Sequence, residues 1–290
     1  MKYETFWRRL TSIYETDEAK AIVRWVLDVR FGLSLTDIVC GKADELNEEA
    51  CAELEEMMLR LEKAEPVQYV VGKADFCGRM FQVEPGVLIP RPETGELVRW
   101  IEEDVLGGTE RAELERNQYS ILDVGTGSGC IAITLALELP QAKVTGWDVS
   151  EEALAIAKKN AEALCAEVTF EQQDILQWEE HNNSLSSGFD LIVSNPPYVC
   201  NRERATMARH VLEHEPHLAL FVPDDDPLRF YRAIAQYAQK TLRPDGLLFF
   251  ELNPFYALET EAMVRGLGFA ETDIRQDMFG KQRFLKAKKK

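Results

Sequence analysis

The sequence predicts an α/β protein: a mostly parallel sheet finished by an antiparallel end pair, with a small N-terminal helical domain and a linking β-hairpin ahead of it. Three observations carry this. Strand-length apolar runs alternate with stretches of helical spacing from residue 119 onward. Several of those runs end in a glycine loop, an aspartate or an asparagine, the residue types that open α/β sheets present at their carboxyl edge. Residues 1 to 75, by contrast, carry helical periodicity alone. The expected organisation is a helical domain over 1–75, a hairpin linker over 76–90 and an α/β domain over 91–290.

In the first segment Ala19, Ile22, Val23, Val26 and Leu27 follow Thr16-Asp17 at helical spacing, and Ala50, Leu54, Met57, Met58 and Leu61 do so after a capping Asn47. Both stripes read as packing faces. The acidic residues opposite, Glu48, Glu49, Glu53, Glu55 and Glu56, suit solvent or a basic protein partner. From Phe76 to Val87 the alternation of Phe76, Met80-Phe81 and Val83, punctuated by Gly78 and Gly86, predicts the hairpin. Arg91 follows between Pro90 and Pro92, so its backbone is held extended, either over a ligand crevice or as a rigid linker.

The run Tyr119–Val124 leads straight into Gly125-Thr126-Gly127-Ser128-Gly129 and then the apolar helical stretch from Cys130 to Leu137. Glycines permit positive φ and close backbone approach, and a helix N-terminus offers free N–H groups to an anionic ligand. A dinucleotide fingerprint wants glycine or alanine where Cys130 stands and does not require Asp123. The next strand, Lys143–Trp147, ends in Asp148, at the spacing of an acid that accepts ribose hydroxyls. A third, Glu167–Phe170, leads through Gln172-Gln173 to Asp174, suited to the amino group of an adenine. Either aspartate could instead cap a following helix. Ser150 opens a helix with Glu151-Glu152 in its first turn, and Asp226-Pro227 and Asn253-Pro254 place proline at first helical positions. Strands at Gly246–Leu252, Phe269–Ile274 and Gln282–Leu285 complete the sheet.

A fourth strand, Phe189–Ser194, ends in Asn195-Pro196-Pro197-Tyr198. Proline lacks an N–H and fixes φ, so two in succession make a stiff turn with unpaired carbonyls beyond the strand end. The Asn195 side-chain oxygen and the Pro196 carbonyl could accept both protons of one planar NH2 group. That orients a nitrogen whose lone pair is otherwise delocalised, with Tyr198 as a flat wall beside the conjugated group. The pattern points to N-methylation; taken alone, the tetrapeptide also fits an ordinary strand-terminating turn.

With these residues in place the chain resembles the class I S-adenosylmethionine-dependent methyltransferases, and among them the HemK/PrmC type of protein-(glutamine-N5) methyltransferase. The resemblance rests on Asp123-Val124-Gly125-Thr126-Gly127-Ser128-Gly129, Asn195-Pro196-Pro197-Tyr198, Leu88-Ile89-Pro90-Arg91-Pro92-Glu93-Thr94 and Glu65-Pro66-Val67-Gln68-Tyr69. Glu215-Pro216 with Ala219-Leu220, and Asp277 through Gly280 to Arg283, extend it over residues 65 to 287. It implies a Rossmann-like catalytic domain, S-adenosyl-L-methionine as cofactor, and a partner in the peptide chain release factors, methylated at the glutamine of their Gly-Gly-Gln loop. On that footing Asp123, the loop 125–129, Asp148, Asp174, Ile175, Arg91, Thr94 and Asn195 contact the cofactor, and Asn195, Pro196, Pro197 and Tyr198 form the catalytic turn. Two positions depart from the family pattern: Gly95 follows Thr94, moving the usual acid to Glu96, and Ile175 stands where some relatives place an aromatic residue.

Composition sets limits on the alternatives. With 33 basic against 50 acidic residues and a formal charge of −17, naked nucleic acid is a poor partner. An adenine-N6 methyltransferase of DNA or RNA shares the tetrapeptide, and a glutamine methyltransferase of a ribosomal protein shares nearly everything else; a noncatalytic binding module would need a decayed site. Six cysteines without a Cys-x-x-Cys pair read as reduced thiols, and no run approaches a membrane span, so a cytoplasmic protein that binds no membrane is expected. A monomer is expected too, although nothing in the residues carries that expectation. The Lys286–Lys290 tail reads as a frayed, solvated terminus. His210-Val211-Leu212-Glu213-His214, with His217 a turn on, matches a zinc-peptidase pattern out of its structural context, and no metal is assigned to it. Arg202, Arg204 and Arg209 are candidates to border the acceptor entrance.

Overall fold

A computed structural model describes residues 3–108, 119–179 and 188–290. The chain divides into two compact units, one of Met1–Ala74, Val83–Pro85 and Met207–Glu215, the other of Asp75–Gln82, Gly86–Thr206 and Pro216–Lys290.

The first unit is helical: α1 (Tyr3–Leu10), α2 (Thr16–Phe31), α3 (Leu35–Val39), α4 (Glu48–Leu61) and α5 (Val67–Val71). Both apolar stripes are core. Val23, Val26 and Leu27 of α2 and Leu54, Met58 and Leu61 of α4 pack in one cluster with Phe6 and Leu10. Asn47 caps α4 by accepting from the Ala50 N–H at 2.8 Å, as its position predicts. On the acidic side of α4, Glu55 pairs with Arg9 of α1 at 2.7 Å, so part of that face is spent inside the unit rather than left to a partner.

The linking hairpin forms earlier than its glycines suggest: β1 (Lys73–Phe76) and β2 (Arg79–Gln82) make a two-stranded sheet. Cys77 and Gly78, at φ 51° and 74°, supply the two left-handed residues that a two-residue hairpin turn requires. In the second unit α6 (Pro92–Gly108), β3 (Ser120–Val124), α7 (Cys130–Glu138), β4 (Lys143–Asp148), α8 (Glu151–Leu164), β5 (Val168–Gln172) and β6 (Phe189–Ser194) follow. Then come β7 (Val199–Cys200), α9 (Arg209–His214) in the first unit, α10 (His217–Leu220) and β8 (Phe221–Val222), the last pairing with β7. The chain closes with α11 (Arg229–Thr241), β9 (Leu242–Glu251), α12 (Ala257–Gly266), β10 (Phe269–Gln276) and β11 (Gln282–Lys289).

The main sheet has the order β10-β11-β9-β6-β3-β4-β5. Strands β9, β6, β3, β4 and β5 run parallel, and β11 and β10 are added antiparallel, which is the predicted arrangement. Alternate residues of the central strands face opposite cores. Ile121, Leu191, Val193 and Phe249 pack against Leu97, Ile101 and Ile133 on one face. Leu122, Ile192, Leu248 and Phe250 pack against Tyr231, Ile234 and Val264 on the other. Burial on both faces is why these strands read as unbroken apolar runs.

Two sequence expectations fail here. The lysine-rich end is no frayed tail: Lys286 through Lys289 continue β11, with Ala287 fully buried opposite Leu248. The lysines run outward on long apolar stems, Lys286 to Asp104 at 2.5 Å, Lys288 to Asp245 at 2.9 Å and Lys289 to the Leu242 carbonyl at 2.6 Å. Pro227 also falls short of its helix, since α11 begins at Arg229 after Leu228; Asn253 does cap a short 3-10 turn beginning at Pro254.

Candidate active site

The chain leaves β3 toward β4 and β5 on one side, then returns to place β6 on the other. The strand order therefore reverses between β3 and β6, and a crevice opens there at the carboxyl edge. Register fixes what faces it. Val124 pairs with Ser194 and with Trp147, and Ser194 pairs with Phe250. Gly125, Asp148, Asn195 and Glu251 are thus the next residues on four adjacent strands, at one level. A cavity of about 370 Å³ lies over this edge, lined by Gly125–Ser128, Asp148–Ser150, Asp174–Leu176 and Asn195–Pro197, with Arg91 and Thr94.

One half is built by the glycine loop. Gly125 and Gly127 hold φ of 75° and 54°, and a Cβ at either would meet nothing within 4 Å, so both leave bare backbone on the cavity. The Gly125 and Thr126 amides donate to the Trp147 carbonyl at 2.8 Å, stitching the loop to β4. Asp123 is fully buried beneath it and accepts the Thr126 hydroxyl at 2.7 Å; burial pushes its carboxyl up to about 7. It does not line the cavity; its place is under the loop. Asp148 accepts from the Gly127 amide through one oxygen and the Ser150 amide through the other, both at 2.9 Å. Burial raises its carboxyl above the usual range, with those amides opposing the shift. Helix α8 is capped by Ser150, which leaves the remaining Asp148 lone pairs for a ligand. Asp174 accepts from the Leu176 amide at 2.9 Å, and nearly buried Ile175 gives the cavity an aliphatic wall beside it.

The other half is the tetrapeptide. Asn195 donates from Nδ2 to the Thr94 hydroxyl at 3.1 Å. Thr94 donates to Glu251 Oε2 at 2.6 Å, and Tyr198 donates to Glu251 Oε1 at 3.0 Å. Asn253 Nδ2 holds the Tyr198 carbonyl at 2.9 Å. Asn195, Pro196 and Pro197 line the cavity, whereas Tyr198 turns its hydroxyl inward to Glu251 and stands behind them. Glu251 is buried, which raises its carboxyl pKa, and Arg283 opposes that shift as a nearby positive charge. Asp277 in turn holds Arg283 at 3.2 Å.

Comparison with known proteins decides the family. Residues 6–72 match the PrmC N-terminal domain and residues 115–252 a methyltransferase domain. The release factor glutamine methyltransferase of Bacteroides thetaiotaomicron is 47% identical over 96% of this chain and 95% of its own length. That of Flavobacterium psychrophilum is 41% identical over 97% and 95%. The chain belongs to the release factor glutamine methyltransferases. Among solved structures, the Thermus thermophilus 16S rRNA N2 G1207 methyltransferase in complex with AdoMet and guanosine superposes with a TM-score of 0.52 at 21% identity. The match covers 75% of this chain and spans about half of that one, 50%, and it establishes the shared class I fold.

As a member of this family the protein is an S-adenosylmethionine-dependent methyltransferase, and its cavity fits the cofactor's chemistry. Bare glycine backbone suits close approach, Asp148 suits a diol and the Ile175 wall suits a flat base. At Gly95, where the chain departs from the pattern, a Cβ would come to 3.2 Å from the Cys77 sulfur. Glu96, one position on, accepts from the Met278 amide at 3.3 Å. The three arginines expected at the entrance do not line the cavity. The Arg202 guanidinium donates to the Tyr256 hydroxyl while its backbone amide donates to Asp224, Arg204 stacks on Phe221 and meets His217 at 3.1 Å, and Arg209 pairs with Glu213. Among the described residues no group of three His, Cys, Asp or Glu is placed to hold a metal ion, and no helix is long and apolar enough to cross a membrane. The residue that sequence reasoning passed over is Glu251. Its signal was a lone acid inside the apolar run Leu247–Leu252.

Proposed function

We propose that the protein transfers the methyl group of S-adenosylmethionine to the side-chain amide nitrogen, N5, of the glutamine in the Gly-Gly-Gln loop of peptide chain release factors. The observation that carries this is the level register of Gly125, Asp148 and Asn195 around one cavity, in a chain that matches 95% of the length of its Bacteroides thetaiotaomicron relative. Gly125–Gly129, Asp148, Asp174 and Ile175 hold the cofactor, with Arg91 and Thr94 at its acceptor side. The cofactor supplies an electrophilic methyl on a sulfonium.

Asn195 and the Pro196 carbonyl accept the two amide hydrogens of the glutamine, pointing the nitrogen lone pair at the methyl carbon. A neutral amide is too weak a base to need prior deprotonation, so catalysis rests on orientation and on acceptors that strengthen as the nitrogen gains positive charge. The carbon–nitrogen bond forms as the carbon–sulfur bond breaks; sulfur keeps the electron pair and the surplus proton leaves to water. The first unit serves to recognise the protein substrate, residues 76–90 link it to the catalytic domain over 91–290, and the enzyme works in the cytoplasm as a monomer. Its charge of −17 argues against naked nucleic acid.

The test is incubation with labelled S-adenosylmethionine and either intact release factor, a factor with the Gly-Gly-Gln glutamine replaced, or an oligonucleotide. Label on intact factor alone supports the reading. Label on the replaced factor or on the oligonucleotide overturns it.

A further inference from the structure

The hydrogens of the Asn195–Thr94–Glu251–Tyr198 network can be assigned. A carboxylate only accepts, and both Glu251 oxygens are taken by hydroxyls, Thr94 at 2.6 Å and Tyr198 at 3.0 Å. A threonine hydroxyl has one hydrogen, and Glu251 takes it. Thr94 Oγ1 then meets Asn195 with lone pairs alone, so the Asn195 group facing it at 3.1 Å must be the NH2. A primary amide is planar, with its oxygen and nitrogen on opposite sides of one carbon. Anchoring Nδ2 on Thr94 therefore turns Oδ1 away from Thr94. Were Thr94 free to donate, the amide could flip and meet the substrate's NH2 with its own NH2, donor against donor.

From this network we infer that Glu251 is a positioning residue which, acting through Thr94, fixes the side-chain amide of Asn195 with its oxygen toward the acceptor. Three surrounding features support it. Register brings Glu251 level with Asn195, one residue beyond the Phe250–Ser194 pair. Arg283, held by Asp277, supplies a counter-charge for a buried carboxylate. The Tyr231 hydroxyl accepts from the Asn253 amide at 3.0 Å and donates to the Glu251 carbonyl at 3.1 Å, pinning the backbone on both sides.

The inference rests on the proposed methyl transfer, and its test separates the two. Thr94→Val removes the hydroxyl at nearly constant shape, Thr94→Ser restores it, and Glu251→Gln substitutes an amide whose NH2 lets Thr94 donate toward Asn195. Misorienting one catalytic acceptor should lower kcat about 10- to 100-fold in Thr94→Val and about 10-fold in Glu251→Gln, with KM for the factor within about threefold of wild type in both and Kd for the cofactor within about threefold in Glu251→Gln. Thr94→Ser should return kcat to within about fivefold of wild type. Because Glu251 acts through Thr94, the double variant Glu251→Gln/Thr94→Val should be no slower than Thr94→Val alone. Additive losses, or an unchanged kcat in either single variant, would overturn the inference. A readout needing no acceptor runs beside the kinetics: the Asn195 side-chain NH2 resonances of the cofactor-bound enzyme. One hydrogen should be protected from solvent exchange in wild type and in Thr94→Ser, and neither in Thr94→Val; equal protection in all three also overturns it. A wild-type enzyme that leaves release factor unlabelled sinks the functional reading, and the resonances still decide this one.

Discussion

The Ser194 hydroxyl donates to the Val124 carbonyl at 2.6 Å, locking together the two strands from which the cofactor loop and the acceptor turn emerge. Both residues are buried, so the bond is sheltered from water and sets the spacing of the crevice from below. The two halves of the site gain their alignment from the sheet rather than from contacts between the loops.

Gly146 lies under the glycine loop, where an added Cβ would come within 2.9 Å of both the Phe170 ring and the Thr126 hydroxyl oxygen. Gly146→Ala should therefore push Thr126 off Asp123, costing about 1–3 kcal/mol of stability and weakening cofactor binding about tenfold. Urea unfolding and calorimetric titration measure the two effects. Wild-type affinity in a stable variant would contradict the loop's dependence on that contact.

The glycine loop and the Asn-Pro-Pro-Tyr turn were legible because each is a local device, written in consecutive residues at the end of an apolar run. Asp148 and Asp174 were legible because strand ends are visible in sequence and chemistry gathers at one edge of such sheets. Glu251 was not. Its role depends on the register of β9 against β6, which brings it level with Asn195 from far along the chain. The lysine end misled for another reason: composition announced solvent, while the alternation of Phe284, Leu285 and Ala287 with outward-reaching lysines was strand. The hairpin was displaced because Cys77 takes a left-handed conformation that no propensity assigns to it.

Deleting residues 286–290 tests the corrected end. Lys286, Ala287 and Lys288 pair with both β9 and β10, and at about 1 kcal/mol net per backbone hydrogen bond the deletion should cost about 3 kcal/mol or more. A lower urea midpoint is expected. A frayed tail would leave the midpoint where it was.

Asp123 gives the protein a distinctive pH dependence. Its carboxyl has an ordinary pKa of 3.8 and is pushed up to about 7 in the folded state by burial. Between those values the folded state binds more protons than the unfolded one, so stability falls as pH rises through this window and levels off above it. Asp123→Asn keeps the acceptor for Thr126 and removes the titration. It should be more stable than wild type by roughly 2 kcal/mol at pH 8 and lose that advantage by pH 4. Melting temperatures of the two proteins across this range check it; parallel curves would refute the buried-carboxyl account.

The central claim is that one edge of the sheet carries a cofactor half, ending in Asp148, and an acceptor half, ending in Asn195. Single-turnover methyl transfer and cofactor Kd, measured side by side for Asn195→Ala and Asp148→Ala, test it most directly. Asn195→Ala should slow transfer by about 100-fold or more with cofactor Kd within about threefold of wild type. Asp148→Ala should raise Kd about 10- to 100-fold, with transfer at saturating cofactor much less affected. The reverse pattern, tight binding lost at Asn195 and transfer lost at Asp148, would contradict the assignment of the two halves.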